Sequence, residues 1–341
     1  MADSTAKPLA GIRVVELARV LAGPWCGQLL ADLGAEVVKV ERPGIGDDTR
    51  SWGPPFINGD GGENLGAAYY HSTNRGKSGV AIDVATAEGQ AEVRALIADA
   101  DVVIENYKVG GLAKYRLDPA TLLADFPQLI VCSITGFGQT GPYAHRPGYD
   151  FIIQAMGGAM SLTGEPDGAP QKAGIAYADI FTGMYSTVAI LAALRRRDAT
   201  GQGAHIDMAL LDCQVGVLAN QAANYLASGV APRRMGNGHA NVVPYQAFAT
   251  ADGQLVIAVG NDGQFRKLCM ILGEPNWADD ARFVTNAVRL ANRTALIPLL
   301  AAKIAGWDAQ PLALALEAEG VPAGPINVDD RRCVLPEKEL V

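Results

Sequence analysis

The chain has 341 residues, 49% of them hydrophobic, with 28 basic against 36 acidic side chains and a formal net charge of −8. That balance gives no field able to hold a nucleic-acid backbone, and no basic stripe or RNA-binding motif offsets it. The apolar fraction is ample for packing, and the length exceeds that at which a single core stops growing, so two domains are expected.

Residues 1–8 lack both an apolar signal core and the Arg-rich, acid-free character of an organellar presequence. No apolar run reads as long enough to span a bilayer, so a cytoplasmic protein without membrane contact is expected. Cys26, Cys132, Cys213, Cys269 and Cys333 are scattered, with no C-x-x-C pair. They read as reduced thiols. His71, His145, His205 and His239 have no paired spacing, so no metal site is expected.

Along the chain, residues 12–17 read as a strand and 24–33 as a helix with Pro24 in its first turn and Gly34 as its stop. A strand at 36–40 completes a β-α-β unit. The alternation continues with strands at 80–83, 101–105 and 129–134 and helices at 87–97 and 119–124. It predicts an α/β fold, a parallel sheet clothed by helices on both faces and Rossmann-like in architecture. The first strand-helix turn lacks G-x-G-x-x-G, so no nicotinamide or flavin cofactor is implied. Helices follow at 179–197 and 208–226, and the polar segment 228–240 reads as a crossing into a second unit. There, strands at 245–250 and 255–259 flank the hairpin signal Asp252-Gly253, followed by helices at 263–272, 293–305 and 310–320. The division expected is 1–227, 228–325 and an atypical ending at 326–341.

Within this pattern, Ala178-Asp179-Ile180-Phe181-Thr182-Gly183-Met184 places one carboxylate at the entrance of an apolar helix, behind the Gly-rich segment 156–174. Asp is a common N-cap, so satisfying orphan backbone N–H groups is the ordinary explanation. With no His, Cys or metal-ligand cluster nearby, an ionised Asp there also suits nucleophilic attack on an activated acyl group. The positive helix end is expected to favour its ionised form.

Several motifs in series decide between these explanations. They are Arg19-Val20-Leu21-Ala22-Gly23-Pro24, then Ala31-Asp32-Leu33-Gly34-Ala35-Glu36-Val37-Val38-Lys39-Val40-Glu41-Arg42-Pro43, then Asn74-Arg75-Gly76-Lys77-Ser78 and Glu105-Asn106-Tyr107. Thr135-Gly136-Phe137-Gly138-Gln139-Thr140-Gly141-Pro142 and the Asp179 segment complete the order. Over nearly its whole length the chain thus resembles the class III CoA-transferases (CaiB/BaiF type). The stretches 46–56 and 238–248 are most similar to the succinyl-CoA:glutarate (dicarboxylate) group.

That resemblance implies a large CoA-binding α/β domain, a smaller α+β domain and two interlocked chains forming a homodimer. It implies an acyl-CoA and a small carboxylic acid as substrates, CoA serving as cosubstrate with no further cofactor, and Asp179 as covalent carrier. For CoA the matched positions are Val20, Leu21, Ala22, Arg42, Ile82, Asn106, Tyr107, Lys114, Thr135 and Phe137. Gly236 and Gly238 match a mobile glycine loop that covers the aspartyl intermediates. A distal carboxylate needs a cation, for which Arg50, Arg233, Arg234 and His239 are candidates. An α-methylacyl-CoA racemase needs a proton-shuttling His where this chain has Gly148-Tyr149-Asp150. An inactive CoA-binding paralogue is the other alternative, since the ending departs from the family after Asn327.

Overall fold

A computed structural model of the chain describes residues 7–326. The ending at 327–341, read above as atypical, lies outside the described residues, as does Cys333. The chain divides into two compact units: residues 7–161 and 170–232 form one, and 162–169 with 233–326 form the other. No composition shift announces the short excursion at 162–169.

In the first unit, in chain order, come β1 (Arg13–Glu16), α1 (Ala22–Asp32), β2 (Glu36–Glu41), β3 (Phe56–Asn58), β4 (Asn64–Ala67), α2 (Ala68–His71) and β5 (Lys77–Ala81). They are followed by α3 (Ala87–Ala98), β6 (Val102–Glu105), α4 (Pro119–Asp125), β7 (Ile130–Thr135), α5 (Asp150–Met156), α6 (Ala159–Leu162), α7 (Tyr177–Thr200), β8 (Ala204–Ala209), α8 (Leu210–Gly216) and α9 (Ala219–Ser228). Six strands form one sheet in the order β5-β2-β1-β6-β7-β8, every pair parallel. The α/β reading is borne out.

The central strands are apolar at consecutive positions because helices cover both faces. Val14, Ile104 and Cys132 turn to one side, where Cys26 and Leu30 of α1 and Ile190 and Leu194 of α7 complete the core. Val15, Val103 and Val131 turn to the other, against Val93 and Ile97 of α3 and Leu122 of α4. Described cysteines are free and buried.

Three expectations are corrected, and one hairpin is added that the sequence pattern does not announce. The helix read at 208–226 begins as strand β8, whose alternating exposure marks a sheet edge, and the helical remainder is broken between α8 and α9, with Ala219 at φ 46°. β5 starts at Lys77 rather than at residue 80; its exposed, Gly-containing register hides the apolar signal. The hairpin β3-β4 was not read at all, because its apolar side chains Phe56, Ile57 and Leu65 lie exposed instead of marking a core face. Finally, α7 spans 24 residues and is long and apolar enough in composition to cross a membrane. Here its buried residues belong to the core of the first unit, packed on α1, β7 and β8.

In the second unit β9 (Tyr245–Ala249), β10 (Gln254–Ala258) and β11 (Ala323–Pro325) make an antiparallel sheet in the order β11-β10-β9. The helices α10 (Asp262–Ile271), α11 (Asn286–Ala291), α12 (Arg293–Ile304) and α13 (Ala309–Ala318) enclose Phe248, Leu255, Phe265, Leu300 and Leu316 with it.

Candidate active site

The strand order reverses between β1 and β6, and in doubly wound sheets the crevice beyond the carboxyl ends at that point is where ligands lodge. A cleft of about 620 Å³ opens there, lined by residues 19–22 after β1, Asn106 to Val109 after β6, and Thr135 and Gly136 after β7. Asp179 lines it from the first turn of α7, and His145 to Tyr149 form another wall.

The loop after β1 is held by two side chains from outside it. Asn106 spends both ends of its amide on Arg19, accepting from the Arg19 N–H at 3.0 Å and donating to its carbonyl at 2.6 Å. Asp47 accepts the Val20 N–H at 3.2 Å while Val20 sits at φ 71°, an outlier for a β-branched residue. Asp47 is itself buried and paired with Lys39 at 3.0 Å, which also bonds Glu16 at 2.9 Å. Buried charges of this kind need such partners. Asn106 therefore shapes the cleft through the Arg19 backbone.

Asp179 is not the N-cap of its helix. The cap position is Ala176, without a side-chain hydrogen bond, and Asp179 stands in the first turn. The capping acceptor comes from elsewhere: Asp150 Oδ1 accepts the N–H of Ala178 at 2.9 Å and that of Asp179 at 3.4 Å. Asp179 is 9% exposed, and among the described residues its carboxyl group takes no hydrogen bond and no ion pair. Burial, and then the neighbouring Asp150 charge, push its pKa up to about 7. The expectation that the helix end favours ionisation is thus corrected, because desolvation and a like charge act against it.

Of the positions matched to CoA, Val20, Leu21, Ala22, Asn106, Tyr107, Lys114 and Thr135 line the same cleft as Asp179. Three do not. Arg42 is exposed beyond β2, Ile82 lines a separate depression with Arg13 and Leu96, and Phe137 packs on the core and edge-on against Tyr143. Gly236 and Gly238 lie in the second unit, where the first donates its N–H to Gly164 O and the second to Met235 O. Among the candidate cations, Arg50 is committed to Glu41 at 2.7 and 2.8 Å and to Tyr70. Burial alone would raise the Glu41 carboxyl, yet the bonds from Arg50, from the Tyr70 hydroxyl and from the Asp47 N–H hold it at about 2. Arg234 donates to Glu165 O and Gly168 O, His239 Nδ1 accepts from Asn241 N, and Arg233 is exposed.

Sequence reading missed four basic side chains in the cleft wall. Arg19 pairs with Asp48, Arg146 stacks on Tyr143, and Lys108 and His145 stand beside them. Arg19 opens one of the quoted motifs and the other three lie near motifs, but a basic side chain in or beside a motif carries no sign of which way it faces. No group of His, Cys, Asp and Glu able to hold a metal ion occurs among the described residues.

A family model described as CoA-transferase family III matches residues 9–334. The chain is 60% identical over 320 residues to a succinate–glutarate CoA-transferase of Agrobacterium fabrum, covering 94% of this chain and 80% of that protein. It is 46% identical to a succinyl-CoA:glutarate CoA-transferase of Mus musculus, covering 94% and 72%. The crystal structure of a CAIB/BAIF family protein from Brucella suis is 61% identical and superposes with a TM-score of 0.84 over 95% of this chain and 85% of its own.

Proposed function

The chain belongs to CoA-transferase family III, and from that premise we propose that it moves CoA from succinyl-CoA to glutarate or a similar small dicarboxylate, with Asp179 as the covalent carrier. One observation carries the reading: a buried carboxyl without a partner lines a cation-walled cleft at the switch point of the sheet. The names of the relatives support the donor and the acceptor.

Ionised Asp179 attacks the thioester carbonyl; the C–S bond breaks, leaving an acyl-aspartyl anhydride and CoA thiolate. Thiolate attacks the aspartyl carbonyl, releasing the donor acid and leaving an aspartyl-CoA thioester. The acceptor carboxylate attacks that thioester, forming a second anhydride and freeing thiolate again. Thiolate then takes the acceptor acyl group and regenerates the carboxylate. Every intermediate is an activated acyl group, so the sequence conserves energy while water stays out. With a pKa near 7, Asp179 is substantially ionised at neutral pH, so no base is required. Lys108, Lys114 and Arg146 are placed to meet the phosphates of CoA. Arg50, spent on Glu41, is set aside as reader of the distal carboxylate.

A homodimer is part of this reading. The exposed side chains Phe151, Met184, Val188 and Leu226, the last 82% exposed, are apolar groups that a partner chain could cover.

D179A abolishes transfer from succinyl-CoA while leaving CoA binding intact, and rapid-quench intact-mass spectra of the wild type show the trapped aspartyl-CoA adduct, which borohydride converts to the side-chain alcohol with release of CoA. Near-wild-type turnover in D179A refutes the assignment. Deuterium wash-in at the α-carbon of a branched acyl-CoA indicates racemisation instead, and CoA binding without turnover indicates an inactive paralogue.

A further inference from the structure

Asp150 stands 29 residues before Asp179 in the sequence, yet its carboxylate reaches the amides of both Ala178 and Asp179. Its other oxygen accepts from Gln154 Nε2 at 2.6 Å. Gln154 is fully buried; its Oε1 accepts the Ala173 N–H at 2.9 Å and its Nε2 also faces Ile175 O at 3.5 Å. The first turn of α7 is therefore tied to α5 through the Asp150 carboxylate, and the segment leading into α7 through the Gln154 amide bonded to it. The neighbours of Asp150 in sequence, Gly148 and Tyr149, line the cleft.

We propose that Asp150 is the positioning residue of the carboxyl carrier: by accepting the Ala178 and Asp179 N–H groups it fixes the first turn of α7 so that Asp179 is held toward the cleft, with a like charge beside it. The inference rests on the reading of Asp179 given above. Asp179 itself accepts nothing from its own helix amides, because Asp150 occupies the place that a local cap would take. The carrier is thereby left unbonded, as a nucleophile must be. A local cap at 179 would tie the carboxylate to its own backbone.

The electrostatic surroundings are simple. On the elements packed against α7, the other charged or titratable side chains are Asp32 on α1, His205 and Asp207 on β8, and Asp212 and Cys213 on α8, with buried Cys26 on α1 and Cys132 on β7. Asp32 pairs with Arg75, His205 bonds Ser133 and Asp207 accepts from Gln139 N. Tyr69, preceding Tyr70 in α2, feels the Asp179 charge and has its own pKa raised, chiefly by burial. Among the described residues, Asp150 is the charge that, after burial, raises the Asp179 pKa.

The test compares D150A and D150N with wild type in the full chain, with succinyl-CoA and glutarate as substrates. In D150A the helix end loses its acceptor, and kcat falls about tenfold or more with KM for succinyl-CoA within about threefold. D150N keeps an oxygen for the two amides but no charge, and its Nδ2 loses the bond from Gln154 Nε2, so it recovers part of kcat, and the acidic limb of its pH profile moves to lower pH. Should D150A fold poorly by circular dichroism, the D150N limb decides. A wild-type kcat in folded D150A, or a D150N limb at the wild-type position, overturns the inference while a trapped adduct in the wild type leaves the Asp179 reading standing. Absence of that adduct in the wild type overturns both.

Discussion

A carboxyl group whose pKa rises to about 7 on folding favours the folded state only while it is protonated. For Asp179 the unfolded value is 3.8, so the cost of burying its charge is absent below about pH 4, grows as pH rises, and is complete above about pH 7. The gap is equivalent to about 4 kcal/mol at most. Asp179→Asn removes that cost: at about pH 8 its melting temperature should exceed wild type by roughly 5 °C, and at about pH 4 the two should melt together. A variant that melts no higher than wild type at the alkaline end would show that the buried carboxylate is compensated after all. The same titration predicts that wild-type kcat/KM rises with pH through about 7 as Asp179 ionises. Asp179 was legible because its own segment carries the motif. Asp150, Asp47 and the double amide contact of Asn106 were not, because each acts on backbone 27 to 87 residues away, and no local pattern records such a meeting.

Between elements, the crossing of α1 with α7 places the cleft loop against the carrier helix. At Gly183 an added Cβ would meet Ala22 O at 2.7 Å and the Trp25 ring at 3.0 Å, so the two helices approach as closely as backbones allow. In an isolated helix Gly to Ala gains about 1 kcal/mol. Here the gain is outweighed, since the obstructing atom is backbone of a cleft residue that cannot swing away. Gly183→Ala should therefore lose about 1–3 kcal/mol in urea unfolding and also raise KM for the acyl-CoA, because Ala22 lines the cleft. Unchanged stability would mean that α1 shifts freely. The same element scale explains which strands were readable. β1, β6 and β7 are buried on both faces and announce themselves as apolar runs, whereas β5 and β8 sit at the sheet edges, where exposed positions carry Ser78, Gly79, His205 and Asp207. An edge strand with one wet face and an Ala-rich successor looks helical from its composition alone.

For the whole molecule, a net charge of −8 opposes the approach of a polyanionic CoA ester. The cleft reverses that sign locally with Arg19, Lys108, Lys114 and Arg146, of which Arg19 is offset by Asp48. Long-range repulsion is screened within about 10 Å at ordinary salt, while close contact of a phosphate with a lysine or arginine is screened less. The two effects predict opposite salt responses: if the overall charge governed binding, salt would lower KM, and if the cleft cations govern it, salt would raise KM. We expect the second, because substrate phosphates meet the cations at contact distance and the acidic surface only through solvent. KM for succinyl-CoA should rise severalfold between about 50 and about 300 mM salt, and Lys108→Ala combined with Arg146→Ala should raise KM at low salt and flatten that dependence. KM for glutarate, with fewer charges to place, should respond less. A succinyl-CoA KM that falls with salt, or a double variant with the wild-type slope, would remove these cations from the CoA site and leave the cleft's shape and the pinned loop at residues 19–22 as its means of holding the ligand.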